Sequence, residues 1–284
     1  MVHLQQTIKN PVTFSGIGVH SGIQSSVTVH PADEGTGIVF RHATAPKTMK
    51  VGTIVPVDAM HATVLKHEDW FISTVEHLLA AIWVLGIDNA VLEIRGNEIP
   101  ILDGSALPFM QGLTDAGLVA QGLSKAWLTP KQTLTFADAH GRSLVIEPSL
   151  QNTHDLNVSY TTTFAHPLAG NGVWKGLITP EVFYTDLAPA RTFGFLDQLP
   201  FLRHHKLAQG TSLGNTVVIG EELLNDMRMP DECVRHKVLD LIGDLSLLGT
   251  GLLGSIVAQK TSHNFNRLVI EHFIKHPEEW VVVN

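Results

Sequence analysis

One predicted helix of this 284-residue chain carries polar residues at a spacing suited to chemistry. In VRHKVLDLIGD, residues 234–244, His236, Asp240 and Asp244 recur at every fourth position among valine, leucine and isoleucine. Side chains four residues apart lie one above the other on a helix, so the three form a polar stripe. Buried imidazole and carboxylate groups need a partner or a metal ion. The His–Asp spacing suits two ligands of one metal ion, and the alternative is an ordinary surface pair.

A second predicted helix, within STVEHLLAA at residues 73–81, offers a further ligand and a base. Catalytic metal sites typically have three protein ligands, and His77 is a candidate for the third. Glu76 points about 100° away from His77 on a helix and could act as a general base toward water. The alternative is a capping box, in which Ser73 and Glu76 bond to the backbone at the start of the helix.

The segment QKTSHNFNR, residues 259–267, contains another candidate acid or base. We expect His263 to lie in a polar loop just after a strand, where functional groups are common, although a single loop histidine is usually only solvated. Lys260 and Arg267 could bind phosphate or could be ordinary surface charges.

An apolar segment follows ARTFGF, residues 190–195, in which Thr192 stands next to Phe193. Leucines recur in this segment at positions 196, 199, 202, 207 and 213, in a region also rich in glycine and polar residues. The segment is either a small satellite core under a long loop or a groove for a lipid chain.

The elements that must position these residues occur in the same order twice: strands, a helix, a glycine and a strand. Aligning the two helices at Gly86 and Gly249 places His77 opposite Asp240. We therefore predict an α+β protein of two similar domains, each with a β-sheet layered on helices, and with the principal helices packed together at the domain interface. The predicted domains are residues 1–124 and 125–284, with a link at 121–132 and an apolar insert near 195–218.

Composition narrows the class of protein. Hydrophobic residues make up 44% of the chain and charged residues 16%, which is typical of a packed globular protein. A net charge of −8 gives no basic footprint for nucleic acid. The single cysteine excludes an intrachain disulfide, and no apolar run reaches the length of a membrane span. The opening residues lack the apolar core of a signal peptide, so we expect a soluble cytoplasmic protein without stable membrane insertion.

Taken together, the motifs resemble the UDP-3-O-acyl-N-acetylglucosamine deacetylases, zinc enzymes of lipid A biosynthesis. The resemblance rests on GIGVHSG, STVEHLLAA, EIPILDGSA, TFAHP, ARTFGF and DECVRHKVLDLIGDLSLLG, in the order and spacing of that family over nearly the whole chain. It implies a metal-dependent amidohydrolase with two similar α+β domains and an active site between them. The implied substrate is an acylated UDP-sugar, and we expect a monomer.

The resemblance also implies individual roles. The implied ligands of Zn²⁺, with Fe²⁺ as an alternative ion in the cell, are His77, His236 and Asp240. The implied catalytic residues are Glu76 as general base, His263 as the protonated partner of the leaving amine, Asp244 as the residue that holds His263, and Thr192 at the oxyanion. The implied substrate contacts are Lys237 and Phe193, with Lys260, Phe164 and Arg142 for the diphosphate and uracil. The apolar segment after ARTFGF corresponds to the acyl-chain passage.

The sequence departs from the family pattern near His263. Ser262 stands where the family usually has glycine, the segment after His263 looks one residue shorter, and Gln198 and Gly214 fall about where carboxylates are common. Glycine adopts backbone conformations that serine avoids, so we expect a different arrangement around His263. Two alternatives stay open: a paralogous zinc deacylase acting on another N-acyl sugar, and a non-catalytic homologue that binds a sugar nucleotide.

Overall fold

The computed structural model describes residues 3–68, 70–149 and 155–284. Its first half contains nine strands and two helices within the described residues. The strands are β1 (Leu4–Ile8), β2 (Val12–Ile17), β3 (Gln24–Pro31), β4 (Ile38–His42), β5 (Thr48–Lys50), β6 (Val64–His67), β7 (Trp70–Ser73), β8 (Ala90–Arg95) and β9 (Leu118–Ser124). The helices are α1 (Glu76–Val84) and α2 (Leu107–Asp115).

The second half repeats this mixture of strands and helices. The strands are β10 (Trp127–Pro130), β11 (Leu134–Ala137), β12 (Ser143–Glu147), β13 (Leu156–Thr163), β14 (Asn171–Leu177), β15 (Phe193–Phe195), β16 (Val217–Ile219), β17 (Gly251–Leu252), β18 (Gly254–Gln259) and β19 (Trp280–Val283). The helices are α3 (Pro180–Val182), α4 (Leu199–His204), α5 (Glu232–Leu245) and α6 (His263–Lys275). A π-helical turn, Phe183–Leu187, extends α3.

Two five-stranded sheets have the same topology. Their strand orders are β2-β3-β8-β4-β5 and β11-β12-β18-β13-β14. In each sheet the only parallel pair among the described strands joins the third and fourth positions, β8 with β4 and β18 with β13. The central strands β8 and β18 each follow the principal helix of their half, α1 or α5. This order confirms the predicted α+β class and repeat, whereas the boundary between residues 124 and 125 stays a prediction.

The core lies between the two sheets, where the principal helices meet. Strands β3 and β8 alternate buried and part-exposed residues, so one face of their sheet is covered. Helix α1 packs on both α2 and α5, and α5 also packs on α6, β13 and β14. The buried apolar residues of both halves form one continuous cluster. Helices α1 and α5 are therefore held side by side at its centre.

Local sequence signals account for several helix ends. Gly86, Gly117 and Gly249 all adopt positive φ just after helical segments, as expected of residues that end a helix. The Thr179 hydroxyl accepts a hydrogen bond from the Val182 backbone N–H at 3.1 Å, and Pro180 is the first residue of α3.

Two local predictions are wrong. The expected link at 121–132 contains the end of β9 and all of β10, because β9 pairs with β1 and β10 pairs with β17 and β19. His263 is not in a loop but begins α6, where the Ser262 hydroxyl accepts a bond from the Phe265 backbone N–H. Serine is a favoured N-cap residue, so position 262 supports a helix start rather than an open loop.

Within the described residues, no helix combines the length and apolar character needed to cross a bilayer.

Gly243 sets the distance between α1 and α5. A Cβ atom at this position would lie 2.1 Å from the backbone oxygen of Glu76 on the facing helix. We expect Gly243→Ala to push the helices apart and to lower the free energy of unfolding by about 3 kcal/mol, the upper range for overpacking. Urea denaturation measures this loss. Gly214→Ala is the matched control, because its Cβ would meet only the Ser212 hydroxyl at 3.6 Å. Equal losses for the two variants would contradict the explanation.

Candidate functional site

The two central helices bring three metal-ligating side chains together. His77 lies on α1, and His236 and Asp240 lie one turn apart on α5; all three are buried. One ligand atom from each residue lies within 4.8 Å of the others. Asp240 Oδ1 is 3.3 Å from His236 Nε2 and 3.7 Å from His77 Nε2. The helix pairing thus supplies the third ligand atom that α5 alone lacks.

The hydrogen bonds around these side chains fit a bound cation. His236 Nδ1 lies 3.0 Å from the Ala190 carbonyl oxygen, so this nitrogen donates and Nε2 presents its lone pair to the cluster. Burial lowers the pKa of His236 to about 3, which keeps the imidazole neutral as a ligand requires. Asp240 Oδ1 is buried and accepts no hydrogen bond from the described part of the chain. A metal ion would satisfy this oxygen.

Glu76, the predicted base, lies beside the cluster. Its carboxylate is buried, with Oε2 accepting a bond from the Thr63 backbone N–H at 3.2 Å and Oε1 lying 3.7 Å from His263 Nε2. The capping-box alternative is wrong, because the N-cap is Val75 and the Ser73 hydroxyl donates to the Asn97 carbonyl. Burial raises the pKa of Glu76, which makes the carboxylate a better proton acceptor.

His263 faces Glu76 and is held by Asp244. His263 Nδ1 is 2.9 Å from Asp244 Oδ2. Burial alone would lower the pKa of His263, but the carboxylates of Asp244, Glu76 and Asp240 outweigh it and raise the pKa to about 10. The imidazole is therefore cationic at neutral pH. The side chain predicted to hold His263 does contact it, and the third member of the α5 stripe is thereby accounted for.

Two further residues support this pair and were not found from the sequence. The Thr63 hydroxyl donates to Asp244 Oδ1, and the Asn266 side-chain amide donates to Asp244 Oδ2 at 2.7 Å. Thr63 thus bonds to both Glu76 and Asp244, which are on different helices. Thr63 stands 181 residues from Asp244, and no local pattern marks it. Asn266, on the first turn of α6, faces α5 only once the two helices pack.

A cavity of about 410 Å³ opens onto these groups. Glu76, His77, His236, Asp240 and His263 are among its lining residues. The other predicted side chains that line it are Thr192, Phe193, Phe164, Lys237 and Arg142. Lys260 is exposed and is not among the lining residues.

The cavity has both an aromatic and a cationic wall. The Phe164 and Phe193 rings meet edge to face at 5.2 Å, and the Lys237 ammonium lies 5.6 Å from the Phe193 ring centre. Lys237 also donates to Asp240 Oδ2 at 2.7 Å. Arg142 donates to Asp138 at 2.6 Å and to the Ser262 hydroxyl at 3.2 Å. Cations and aromatic faces together suit a ligand that carries both phosphate and planar rings.

The cavity also has an apolar part. Leu196, Leu199 and Leu202, from the predicted insert, line it together with Val19 and Ile101. A separate small core also lies nearby, formed by Ala169, Val217, Ile219 and Cys233. An apolar part of the cavity and a satellite core are thus both present, but the satellite core uses residues other than the leucines, and the groove for a lipid chain stays a prediction.

Comparisons with known proteins are consistent over the whole chain. A family model described as UDP-3-O-acyl N-acetylglycosamine deacetylase matches residues 5–275. A UDP-3-O-acyl-N-acetylglucosamine deacetylase of Citrifermentans bemidjiense is 38% identical over 284 residues, covering 98% of this chain and 92% of the relative. A protein of the same name from Geotalea uraniireducens is 40% identical over 281 residues, covering 97% of this chain and 90% of the relative. One from Helicobacter hepaticus is 35% identical over 283 residues, covering 99% of this chain and 93% of the relative.

Proposed function

The chain belongs to the UDP-3-O-acyl N-acetylglycosamine deacetylase family, and from this premise we propose that it hydrolyses the N-acetyl group of UDP-3-O-acyl-N-acetylglucosamine. The products are acetate and the UDP-3-O-acyl-glucosamine used in lipid A biosynthesis. The observation that carries the proposal is the placement of a buried carboxylate, Glu76, and a cationic imidazole, His263, beside the His77, His236 and Asp240 group. Amide hydrolysis needs a base for water and an acid for the amine.

Zn²⁺ is the proposed metal ion, held by His77, His236 and Asp240. Two neutral imidazoles and one carboxylate suit zinc, and Fe²⁺ would accept the same donors. When bound, such an ion acidifies water and polarises the amide carbonyl. Metal analysis of the purified protein distinguishes the two ions.

The side chains of this chain divide the proton transfers between them. Glu76 accepts the proton that water loses on attacking the carbonyl carbon. The cationic His263, held at Nδ1 by Asp244, donates the Nε2 proton to the departing amine, which is otherwise a poor leaving group. The Thr192 hydroxyl, in the cavity wall, donates to the oxyanion that forms on the carbonyl oxygen.

The remaining cavity side chains contact the substrate. Lys237, which donates to Asp240, and Phe193 contact the sugar, while Phe164 and Arg142 contact the uracil and diphosphate. Lys260 reaches the diphosphate from outside the described cavity wall. The acyl chain lies along Leu196, Leu199 and Leu202. The enzyme works in the cytoplasm as a monomer. Light scattering coupled to size-exclusion chromatography tests the oligomeric state.

The decisive experiment is acetate release from UDP-3-O-acyl-N-acetylglucosamine by the purified protein. We expect one acetate and one free amine per substrate, detected by mass spectrometry. Acetate released only from another N-acyl sugar would indicate a paralogous deacylase. Binding of the substrate without any acetate, by protein loaded with one Zn²⁺ per chain, would indicate a non-catalytic homologue and would overturn the proposal.

Asp244, the carboxylate that bonds to His263 Nδ1, should determine the pH at which activity falls on the alkaline side. The wild-type rate should stay high until pH approaches about 10, the pKa of His263, and should fall above it as the imidazole loses its proton. Asp244→Asn removes the strongest of the charges that raise this pKa, so the alkaline limb of kcat/KM should move to lower pH. Asp115→Asn, at an exposed position ending α2, is the control. An unmoved limb in Asp244→Asn would contradict the role of His263 as the acid.

A further inference from the structure

A buried ion pair lies next to the segments that carry Thr192 and His236, two of the proposed active-site groups. Arg191 and Glu232 have side chains only 7% and 0% exposed. Arg191 Nε lies 2.9 Å from Glu232 Oε1, and an Arg191 terminal nitrogen lies 3.2 Å from Oε2, so the pair is bidentate. Neither residue is among those that line the cavity. The chemistry described above therefore does not use this pair directly.

The pair joins two segments that each carry active-site groups. Glu232 is the first residue of α5, one turn before His236. Arg191 lies between Ala190, whose carbonyl accepts the bond from His236 Nδ1, and Thr192. The Arg191 backbone N–H also donates to Glu232 Oε1 at 2.9 Å. Side-chain and backbone bonds therefore fasten this segment to the start of α5.

Neighbouring bonds make the fastening rigid. Glu232 Oε2 accepts the backbone N–H of Arg228 at 2.7 Å, and Arg191 donates to the Asp226 carbonyl at 2.7 Å. The Thr192 backbone N–H donates to the Gly104 carbonyl at 2.8 Å. Because the charges are paired, hydrogen-bonded and shielded from water, the geometry of this segment has little freedom.

We propose that the Arg191–Glu232 ion pair is a positioning pair that fixes the Ala190 carbonyl on His236 and holds Thr192 in the cavity wall. The proposal rests on the function proposed above for its catalytic part, but its effect on metal affinity can be measured without any turnover. Groups that orient a metal-ligating histidine typically change metal affinity 10- to 100-fold when they are lost. The ion pair acts indirectly, by holding the Ala190 carbonyl that accepts the bond from His236 Nδ1.

The first test is competition for Zn²⁺ between the protein and a chelating indicator. Arg191→Met should weaken Zn²⁺ binding about 10-fold or more. Arg191→Lys, which keeps the charge but not the fork, should recover part of the affinity. Glu232→Gln is the second variant, because it keeps the size and an oxygen acceptor and serves if Arg191→Met does not fold.

The control separates positioning from general loss of stability. Lys125 pairs with Asp88 at 2.9 Å and donates to the Gly86 carbonyl at 3.0 Å, beyond the far end of α1. Lys125→Met should lower Tm but leave Zn²⁺ affinity unchanged. Wild-type Zn²⁺ affinity in folded Arg191→Met, or in folded Glu232→Gln where Arg191→Met does not fold, would overturn the proposal. So would an equal loss of affinity in Lys125→Met.

The second test concerns Thr192 and uses Zn²⁺ at saturation. Arg191→Met and Thr192→Val should each lower kcat with little change in KM, because both disturb the oxyanion donor. The fold-loss of kcat in the double variant should be smaller than the product of the two single fold-losses. Fully multiplicative effects would show that Arg191 does not act through Thr192. Absence of acetate release in the wild type would instead count against the proposed function and leave the affinity test intact.

Discussion

Chelation of the metal ion should abolish acetate release, and one equivalent of Zn²⁺ should restore it. The three ligand atoms lie within 4.8 Å of one another, and a neutral hydroxyl such as that of Thr192 polarises an amide far less than a divalent cation does. Elemental analysis should find one ion per chain in the active protein. His77→Ala removes the only ligand on α1 and should leave neither bound metal nor activity.

A second histidine provides the control for metal content. His276, Glu278 and Glu279 form the other group in the described residues whose atoms are close enough to share an ion, but His276 and Glu278 are exposed. His276→Ala should keep one ion per chain and full activity. Activity that survives complete removal of the metal, or that follows His276 rather than His77, would contradict the assignment. Circular dichroism of each variant confirms that it is folded.

Glu76→Gln should lower kcat by about 10²- to 10⁴-fold, the range for loss of a general base. The amide keeps the size of the side chain and an oxygen that can accept the Thr63 backbone N–H, so the fold and the helix pairing should persist. Metal content should stay at one ion per chain, since Glu76 is not among the proposed ligands. The measurement is steady-state kinetics with metal analysis of the same sample.

A surface glutamate in the same half of the chain serves as the matched control. Glu93 on β8 pairs with Arg41 at 2.7 Å, and Glu93→Gln should leave kcat unchanged. If Glu76→Gln retains more than about a tenth of the wild-type kcat, water activation does not depend on Glu76. If the variant loses the metal ion, the carboxylate has a structural role in the site instead.

Local spacing determined a large part of the site in advance. Positions 236, 240 and 244 share a helix face whatever surrounds them, because the α-helix repeats about every four residues. Helix ends at Gly86, Gly117 and Gly249, and the cap at Thr179, also follow from neighbours in sequence. The repeated element order predicted two similar domains with their principal helices packed together, and the two sheets of one topology and the contact between α1 and α5 agree with this.

Contacts between distant segments were decided only by the tertiary structure. Whether Glu76 caps its own helix or faces His263 depends on Thr63, which the fold brings to its carboxylate. The pairing of β1 with β9 likewise turned part of an expected link into a strand. The orientation of His236 depends on Ala190, 46 residues away. A periodic pattern in the sequence does not reveal such bonds, because their energy depends on packing between elements rather than on the dihedral preferences of neighbouring residues.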